Sequence, residues 1–371
     1  MLLSKYRFSM ISPEREIVQN LVGTLNQMPD SHAHVTMESH PGQPDYDVQV
    51  EARISGKNVT LLVEAKQHVY PRDVHQYLSQ ARSIMQRAGI VHQDIKPENL
   101  ILLLAAHSIS PGAKELLREE HCAYFDAGGS LYVASEGLLV DRERPPAPSE
   151  ARAIRSLFTG TRARVLLTLL VHPDEWMNVK QVSEEANVSP ATASSVLQAM
   201  EINDWAVAEG SGPHKQRRVR RPNEVLDAWA KFVETRKAPK QRRYYIPIRH
   251  FDDLTYKVPQ AFAAHDVEYE LTGEAAAQHY SPWLTHINVL RFRLVYSKKA
   301  EAALTDLKAQ LTTEGSNLWV MEVASPHELV HRQEEGGLWY AHPIQVYLDL
   351  LKMEGRARDA AQHLRETKIG F

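Results

Sequence analysis

From Glu14 to Leu25 apolar residues recur every three or four positions. Ile17, Val18, Leu21, Val22 and Leu25 share one face behind Ser12 as N-cap and Pro13 at the first helical position, so an amphipathic helix is predicted. The period then drops to two. Asp47 to Ile54 alternates, Ser55 to Asn58 turns and Val59 to Ala65 runs apolar, which predicts a β-hairpin. Pro71 to Met85 returns to a helical period, Asn99 to Ala106 reads as a fully buried strand, and Ser110 to Glu120 as a helix led by Pro111. Ala123 to Ser135 reads as two short strands meeting at Gly128-Gly129. The order α-β-β-α-β-α-β predicts an α/β layer with a mixed sheet.

Further along, an apolar helix from Thr161 to Val171 stops at His172-Pro173. A short helix from Asn178 to Ala186, a turn at Asn187-Val188 and a helix from Ser189 to Asn203 follow, the last with a serine N-cap and a proline behind it. Val182, Ala186, Val188, Ala193, Val196, Leu197 and Met200 fall where a helix-turn-helix core needs apolar groups. That leaves Ser189, Thr192, Ser194, Ser195 and Gln198 to approach base edges and phosphates. Trp205 to Ala208 and His214 to Arg221 read as strands around a Gly210 to Pro213 tip, and the second carries Lys215, Arg217, Arg218, Arg220 and Arg221. The pattern is a winged helix-turn-helix. The remainder alternates helices (Leu254 to His265, Gly273 to His279, Pro343 to Lys352, Arg356 to Glu366) with strands (Asn288 to Tyr296, Leu318 to Val323), an α+β pattern. It holds no phosphate loop, metal-spaced His/Asp set or nucleophile elbow. His331, His342 and His363 are isolated there and read as hydrogen-bonded or solvated histidines.

Two segments read as linkers: Asp141 to Pro148, with three prolines, and the basic run Arg236 to Arg243. A multidomain chain is therefore expected, with an α/β domain over 1–145, the winged helix over 150–235 and the α+β domain over 244–371. Composition agrees, since 371 residues with 43% hydrophobic and 24% charged side chains exclude a disordered chain. The single cysteine, Cys122, excludes an internal disulfide and a cysteine zinc site, and a cytoplasmic location is expected. No charged leader precedes an apolar run, and the aliphatic stretch from Leu100 to Ala106 is too short to cross a bilayer, so no membrane partner is expected.

The net charge of −3 points away from nucleic acid only if it is evenly spread. Residues 1–150 carry −5, residues 151–243 carry +6 and residues 244–371 carry −4. Between Ser211 and Arg243 eleven Lys/Arg face three Asp/Glu, a surplus that attracts phosphate by counterion release. Double-stranded DNA is the expected partner. No cofactor is required for that binding, and a palindromic operator would favour a homodimer.

The hairpin carries chemistry of its own. Glu64 and Lys66 share a strand face, and a short hairpin returns them to the start of the preceding strand, where Asp47 or Asp45 stands. Two carboxylates such as Asp47 and Glu64 can hold Mg²⁺, and the adjacent Lys66 can orient water or stabilise developing charge. These residues resemble the PD-(D/E)XK restriction-endonuclease-like superfamily over about 100 residues. The resemblance implies a restriction-endonuclease-like α/β fold, further polar site residues at Glu16 and at Gln76 or Gln80, and, where the site is active, a Mg²⁺-dependent endodeoxyribonuclease. The fold also serves as a non-cleaving binding module, and enzyme activity is not the leading expectation. Val91 to Leu100 imitates a kinase catalytic loop, with Asp94 in the place of the base and Asn99 in that of the metal ligand, but no glycine-rich loop, strand lysine or A-P-E accompanies it.

Arg155 to Phe158, Val225 to Trp229, Leu271 to Ala277, His342 to Leu350 and Gly355 to Ala361 resemble the AbiEi-like transcriptional regulators, the antitoxin side of type IV toxin-antitoxin systems. The resemblance runs over most of residues 110–371. It implies a DNA-binding repressor and a cognate nucleotidyltransferase toxin as partner, with no catalysis by the C-terminal domain. The long N-terminal domain departs from the shortest members of that family.

Overall fold

The computed structural model describes residues 12–38, 46–79, 81, 99–144, 148–237, 239–284, 286–353 and 355–371. Asp45, Gln80, most of the kinase-like stretch and the second half of the predicted 71–85 helix lie outside them. The architecture is mixed α/β with three sheets and two compact units. One unit comprises Met1–Ala153 with Ala199–Asp204; the other comprises Ile154–Gln198 with Trp205–Phe371.

The first unit is a seven-stranded sheet in sequential order, β1 (His32–Glu38), β2 (Val48–Ile54), β3 (Lys57–Val69), β4 (Leu100–Ile109), β5 (Ala123–Asp126), β6 (Leu131–Ser135) and β7 (Leu138–Arg142). Strands β3, β4 and β5 run parallel, and the flanking pairs are antiparallel. Helix α1 (Ser12–Asn26) supplies Ile17, Val18, Leu21 and Leu25 to a core with Val50, Leu61 and Leu103. On the other face, α2 (residues 71–79) and α3 (Pro111–Glu119) bring Val74, Tyr77 and Leu117 against Leu62, Leu102 and Leu104. Strand β4 is apolar and buried on both faces, as the central strand of a parallel segment must be. The β2–β3 hairpin turns on two residues, Ser55 at φ 49° and Gly56 at φ 84°, the left-handed pair that matches strand twist.

Two strands escape the sequence pattern because they lie at the sheet's edges. In β1 Ala33 is buried while His32, His34 and Val35 are exposed, and a register shift between Val35 and Met37 breaks the alternation. Strand β7 ends on Asp141 and Arg142, which the proline count had assigned to a linker. Their charges belong to the strand's solvated end.

Helix α4 (Pro148–Leu157) runs across the division at residue 154; the second unit continues with α5 (Gly160–Val171), β8 (Met177–Asn178), α6 (Val179–Glu185) and α7 (Pro190–Ile202), whose residues from 199 on belong to the first. Asn178 and Gln181 cap α6 reciprocally at 2.9 and 3.0 Å, and Asn187 takes the left-handed conformation, φ 50°, between α6 and α7. Strands β9 (Ala206–Glu209) and β10 (Gln216–Val219) pair antiparallel, with β8 on the far side of β10. Their tip depends on Gly210, at φ 74°, where a Cβ would lie 2.8 Å from the His214 carbonyl oxygen. Phe158 stacks on Trp229 at 6.1 Å and lies near Trp205 and Phe232, joining the α4–α5 corner to β9 and to α8 (Pro222–Thr235).

Beyond α8 the chain builds a second seven-stranded sheet from β11 (Gln241–Tyr245), β12 (Tyr269–Thr272), β13 (Leu290–Leu294), β14 (Gln310–Leu311), β15 (Leu318–Glu322), β16 (Gln333–Glu335) and β17 (Leu338–Tyr340). The spatial order is β14-β11-β15-β13-β12-β17-β16, with β13–β15 and β12–β17 parallel. The residues Gln241 to Arg243, assigned to a linker for their charge, pair with β15; Arg242 reaches Glu322 at 2.5 Å and Arg243 lies over the Trp319 ring. Helices α9 (Asp253–Ala264), α10 (Gly273–Tyr280), α11 (Lys298–Asp306), α12 (Pro343–Leu350) and α13 (Ala357–Leu364) complete the unit. No described helix is long and apolar enough to cross a membrane.

Phe262, Tyr269 and Phe292 form edge-to-face and tilted pairs 5.3 to 5.4 Å apart in the interior of this unit. Phe292→Ala removes both partners' contacts at a fully buried position and should lower unfolding free energy by about 3–5 kcal/mol. A urea titration reads this as an earlier midpoint with an unchanged slope for the second unit's transition.

Candidate functional site

The hairpin of the first unit delivers the acid and lysine cluster. In register, Val48 faces Val63, so Asp47 and Glu64 stand where the two strands' pairing ends. Asp47 donates its amide to the Val63 carbonyl at 2.9 Å, and its Oδ2 accepts the Ala65 amide at 2.7 Å. Lys66 Nζ pairs with Glu64 Oε1 at 2.8 Å. Partial burial opposes the lysine's charge, but its bond to Glu64, with Asp47 and Glu14 of α1 acting from further off, raises its pKa above the ordinary lysine value. The first helix thus contributes Glu14 to this field, while Glu16, the residue named from the superfamily pattern, is exposed.

A cavity of about 500 Å³ opens beside Glu64 and Lys66, with Gln76 and Tyr77 of α2 on its wall. Two of its polar atoms, Glu64 Oε2 and Tyr77 Oη, are buried without a hydrogen-bond partner among the described residues. Burial, reinforced by Cys122 and Glu64, pushes the Tyr77 phenol well up, so it stays a neutral donor. An unpartnered carboxylate oxygen beside a second carboxylate suits a hard cation, and the donor set fits Mg²⁺.

In the second unit α7 buries Ala193, Val196 and Leu197 and turns Ser195 and Gln198 outward. Ser189 Oγ accepts the Thr192 amide at 3.2 Å and bonds its hydroxyl at 2.9 Å, so these two residues also hold the helix start. Ser195 donates to the Thr192 carbonyl at 2.9 Å, and Ser194 is half-buried. Along β10 the arginines alternate. Arg217 is 8% exposed within the small sheet, whereas Arg218 and Arg220 are exposed, Arg218 lying over the Trp176 ring at 5.1 Å. Lys215 is half-buried, and Arg221 is half-buried and pairs with Glu224 at 3.2 Å. Of the five basic residues named from sequence, Arg218 and Arg220 therefore present the most open guanidinium groups.

Residues 218–370 match the family model described as a transcriptional regulator, AbiEi antitoxin, type IV TA system. The matched span covers the end of β10, α8 and the whole of the large sheet with its helices. It holds the Val225 to Trp229, Leu271 to Ala277, His342 to Leu350 and Gly355 to Ala361 segments; Arg155 to Phe158 lie outside, so the match is shorter than the expected 110–371. No curated protein and no solved structure matches the chain.

Inside the matched span a guanidinium is buried with two carboxylates. Arg293 of β13 reaches Glu270 of β12 at 2.5 Å and Asp349 of α12 at 3.7 Å. Thr272 donates to Asp349 Oδ2 at 2.7 Å, and Gln345 to Oδ1 at 2.9 Å. Arg293 and Asp349 also line a cavity of about 260 Å³ with Arg164 and Lys352.

Sequence reasoning missed one further cluster, because its members are far apart along the chain. His172 at the end of α5, Glu185 at the end of α6 and His331 after β15 bring one ligand atom each to within 4.8 Å of one another. Among the described residues they are the one such group of three or more His, Cys, Asp or Glu. Only the tertiary fold joins His331 to His172.

Burial pushes the Glu270 carboxyl up to about 7; Asp349 adds to the rise, and Arg293 and Arg332 oppose it. One guanidinium serves two buried carboxylates, so the folded chain keeps a proton on Glu270 that the unfolded chain loses near pH 4.5. Unfolding free energy should therefore fall as pH rises from about 4.5 to about 7, by on the order of 3 kcal/mol from this group. Denaturant titrations of the parent and of Glu270→Gln across that window should differ in slope by this amount.

Proposed function

We propose that the chain is a DNA-binding transcriptional regulator of the AbiEi antitoxin type, with α5 to α7 and the β9–β10 hairpin acting as a winged helix-turn-helix. The observation that carries this reading is an outward polar face on α7 and, in the same compact unit, the exposed arginines Arg218 of β10 and Arg220 just after it, in a chain whose residues from 218 on match a family of transcriptional regulators. Helix α7 enters the major groove, Gln198 and Ser195 meet base edges, and the wing arginines hold the phosphate backbone. The matched C-terminal segment is the surface for a cognate toxin, and a palindromic operator is bound by a homodimer. The N-terminal domain, of restriction-endonuclease-like architecture, assists DNA binding or assembly. DNA binding needs no cofactor.

Arg218→Ala with Arg220→Ala should weaken binding to the chain's own promoter DNA at least tenfold in a gel shift at moderate salt, and should flatten the salt dependence. Gln198→Ala should relax sequence preference more than it lowers affinity. Unchanged affinity in the double variant sinks the reading.

A second reading rests on the unpartnered Glu64 Oε2 beside Asp47 and Lys66. In it the first unit is a Mg²⁺-dependent DNA nuclease targeted by the winged helix. Asp47 and Glu64 would hold the cation, whose chemistry when bound would be water activation and neutralisation of phosphodiester charge, and Lys66 would orient the attacking water. Plasmid incubated with Mg²⁺ or Mn²⁺ should then be cut by the parent and left intact by Lys66→Ala. Intact plasmid with the parent under both metals retires this reading.

A further inference from the structure

His172, Glu185 and His331 are held as a metal site holds its ligands. His172 Nδ1 meets the Glu175 carboxylate at 3.1 Å, and Nε2 lies 2.6 Å from Glu185 Oε1. His331 Nε2 bonds the Thr168 hydroxyl at 2.7 Å, and its Nδ1 points to the same Glu185 oxygen at 3.9 Å. Each imidazole is therefore oriented through its far nitrogen, by a carboxylate in one case and a hydroxyl in the other, and each turns its near nitrogen inward. This is the outer-shell arrangement that fixes tautomers at histidine metal sites. The two rings meet edge to face at 6.2 Å.

Distances agree with that assignment. Donors about 2.1 Å from a tetrahedral zinc ion stand roughly 3.4 Å from one another. The separations of 2.6 and 3.9 Å from Glu185 bracket that spacing, and all three ligand atoms lie within 4.8 Å of one another. The His331 side chain is 11% exposed.

We propose that His172, Glu185 and His331 bind one divalent transition-metal ion of the zinc class. Two imidazoles and one carboxylate without thiolate suit Zn²⁺, Co²⁺ or Ni²⁺ rather than Mg²⁺ or Cu⁺, and three protein ligands leave one position for water. The ion would fasten the ends of α5 and α6 to the segment after β15. Its binding does not depend on either functional reading above.

The full-length protein, stripped with chelator, should take up one Co²⁺ per chain with the visible bands of a four- or five-coordinate nitrogen and oxygen site, and Zn²⁺ should displace it. Zn²⁺ should also raise the melting temperature of the parent. His331→Gln and Glu185→Gln, melting as the parent does without metal, should lose the Co²⁺ bands and the Zn²⁺ stabilisation. Should either variant fold poorly, imidazole resonances of the parent decide, with two of the 18 histidines expected to shift on adding one equivalent of Zn²⁺. A parent that binds no Co²⁺, variants that bind as tightly as the parent, or shifts spread over other histidines would each overturn the proposal.

Discussion

The second unit is organised around a charge that cannot reach water. Arg293 is buried between Glu270 and Asp349, and those three residues come from adjacent strands β13 and β12 and from helix α12. Removing Arg293 leaves two buried carboxylates without their cation in low dielectric, which is far worse than removing the whole set. The network therefore fixes α12 against the sheet at one register and one rotation. Thr272 and Gln345 complete Asp349, so even the neutral groups around it are committed. Everything α12 packs against, α10, α13 and α5 among them, takes its position from this point.

How much of this was legible depends on where a residue's neighbours lie. Helix α1, the β2–β3 hairpin, α3, α6 and α7 declare themselves because each buries one face at a fixed period, with a cap or a turn to mark its ends, and β4 because it is a continuous apolar run buried on both faces. Strands β1 and β7 do not, since an edge strand shows solvent the polar side chains that a loop also carries. The run Gln241 to Arg243 was assigned to a linker for its charge, yet those arginines find Glu322 and the Trp319 ring across the sheet. Charge in a strand signals a partner that sequence does not locate.

The same distinction separates the two clusters of the candidate sites. Glu64 and Lys66 were visible because strand geometry puts alternate residues together, and Asp47, with Asp45 as the alternative, because a short hairpin returns to the start of the preceding strand. His331 read as an isolated histidine, since nothing in local periodicity connects it to His172 or Glu185. Net charge behaved alike: −3 for the whole chain conceals a basic segment, and structure then divides that segment again, turning Arg218 and Arg220 outward and Arg217 inward.

Asn187, at the bend between α6 and α7, bonds the His327 ring at 2.6 Å, and Arg164 of α5 bonds the His327 carbonyl at 3.2 Å. The bend that sets the direction of α7 is thereby secured by a residue of the family-matched span, inside one compact unit. No hinge insulates the two surfaces of the proposed regulator from each other. If the proposed function holds, a toxin that bound more tightly to one setting of the His327 segment would change DNA affinity, and DNA would change toxin affinity by the same factor. Repression and toxin capture would then be two readings of a single equilibrium.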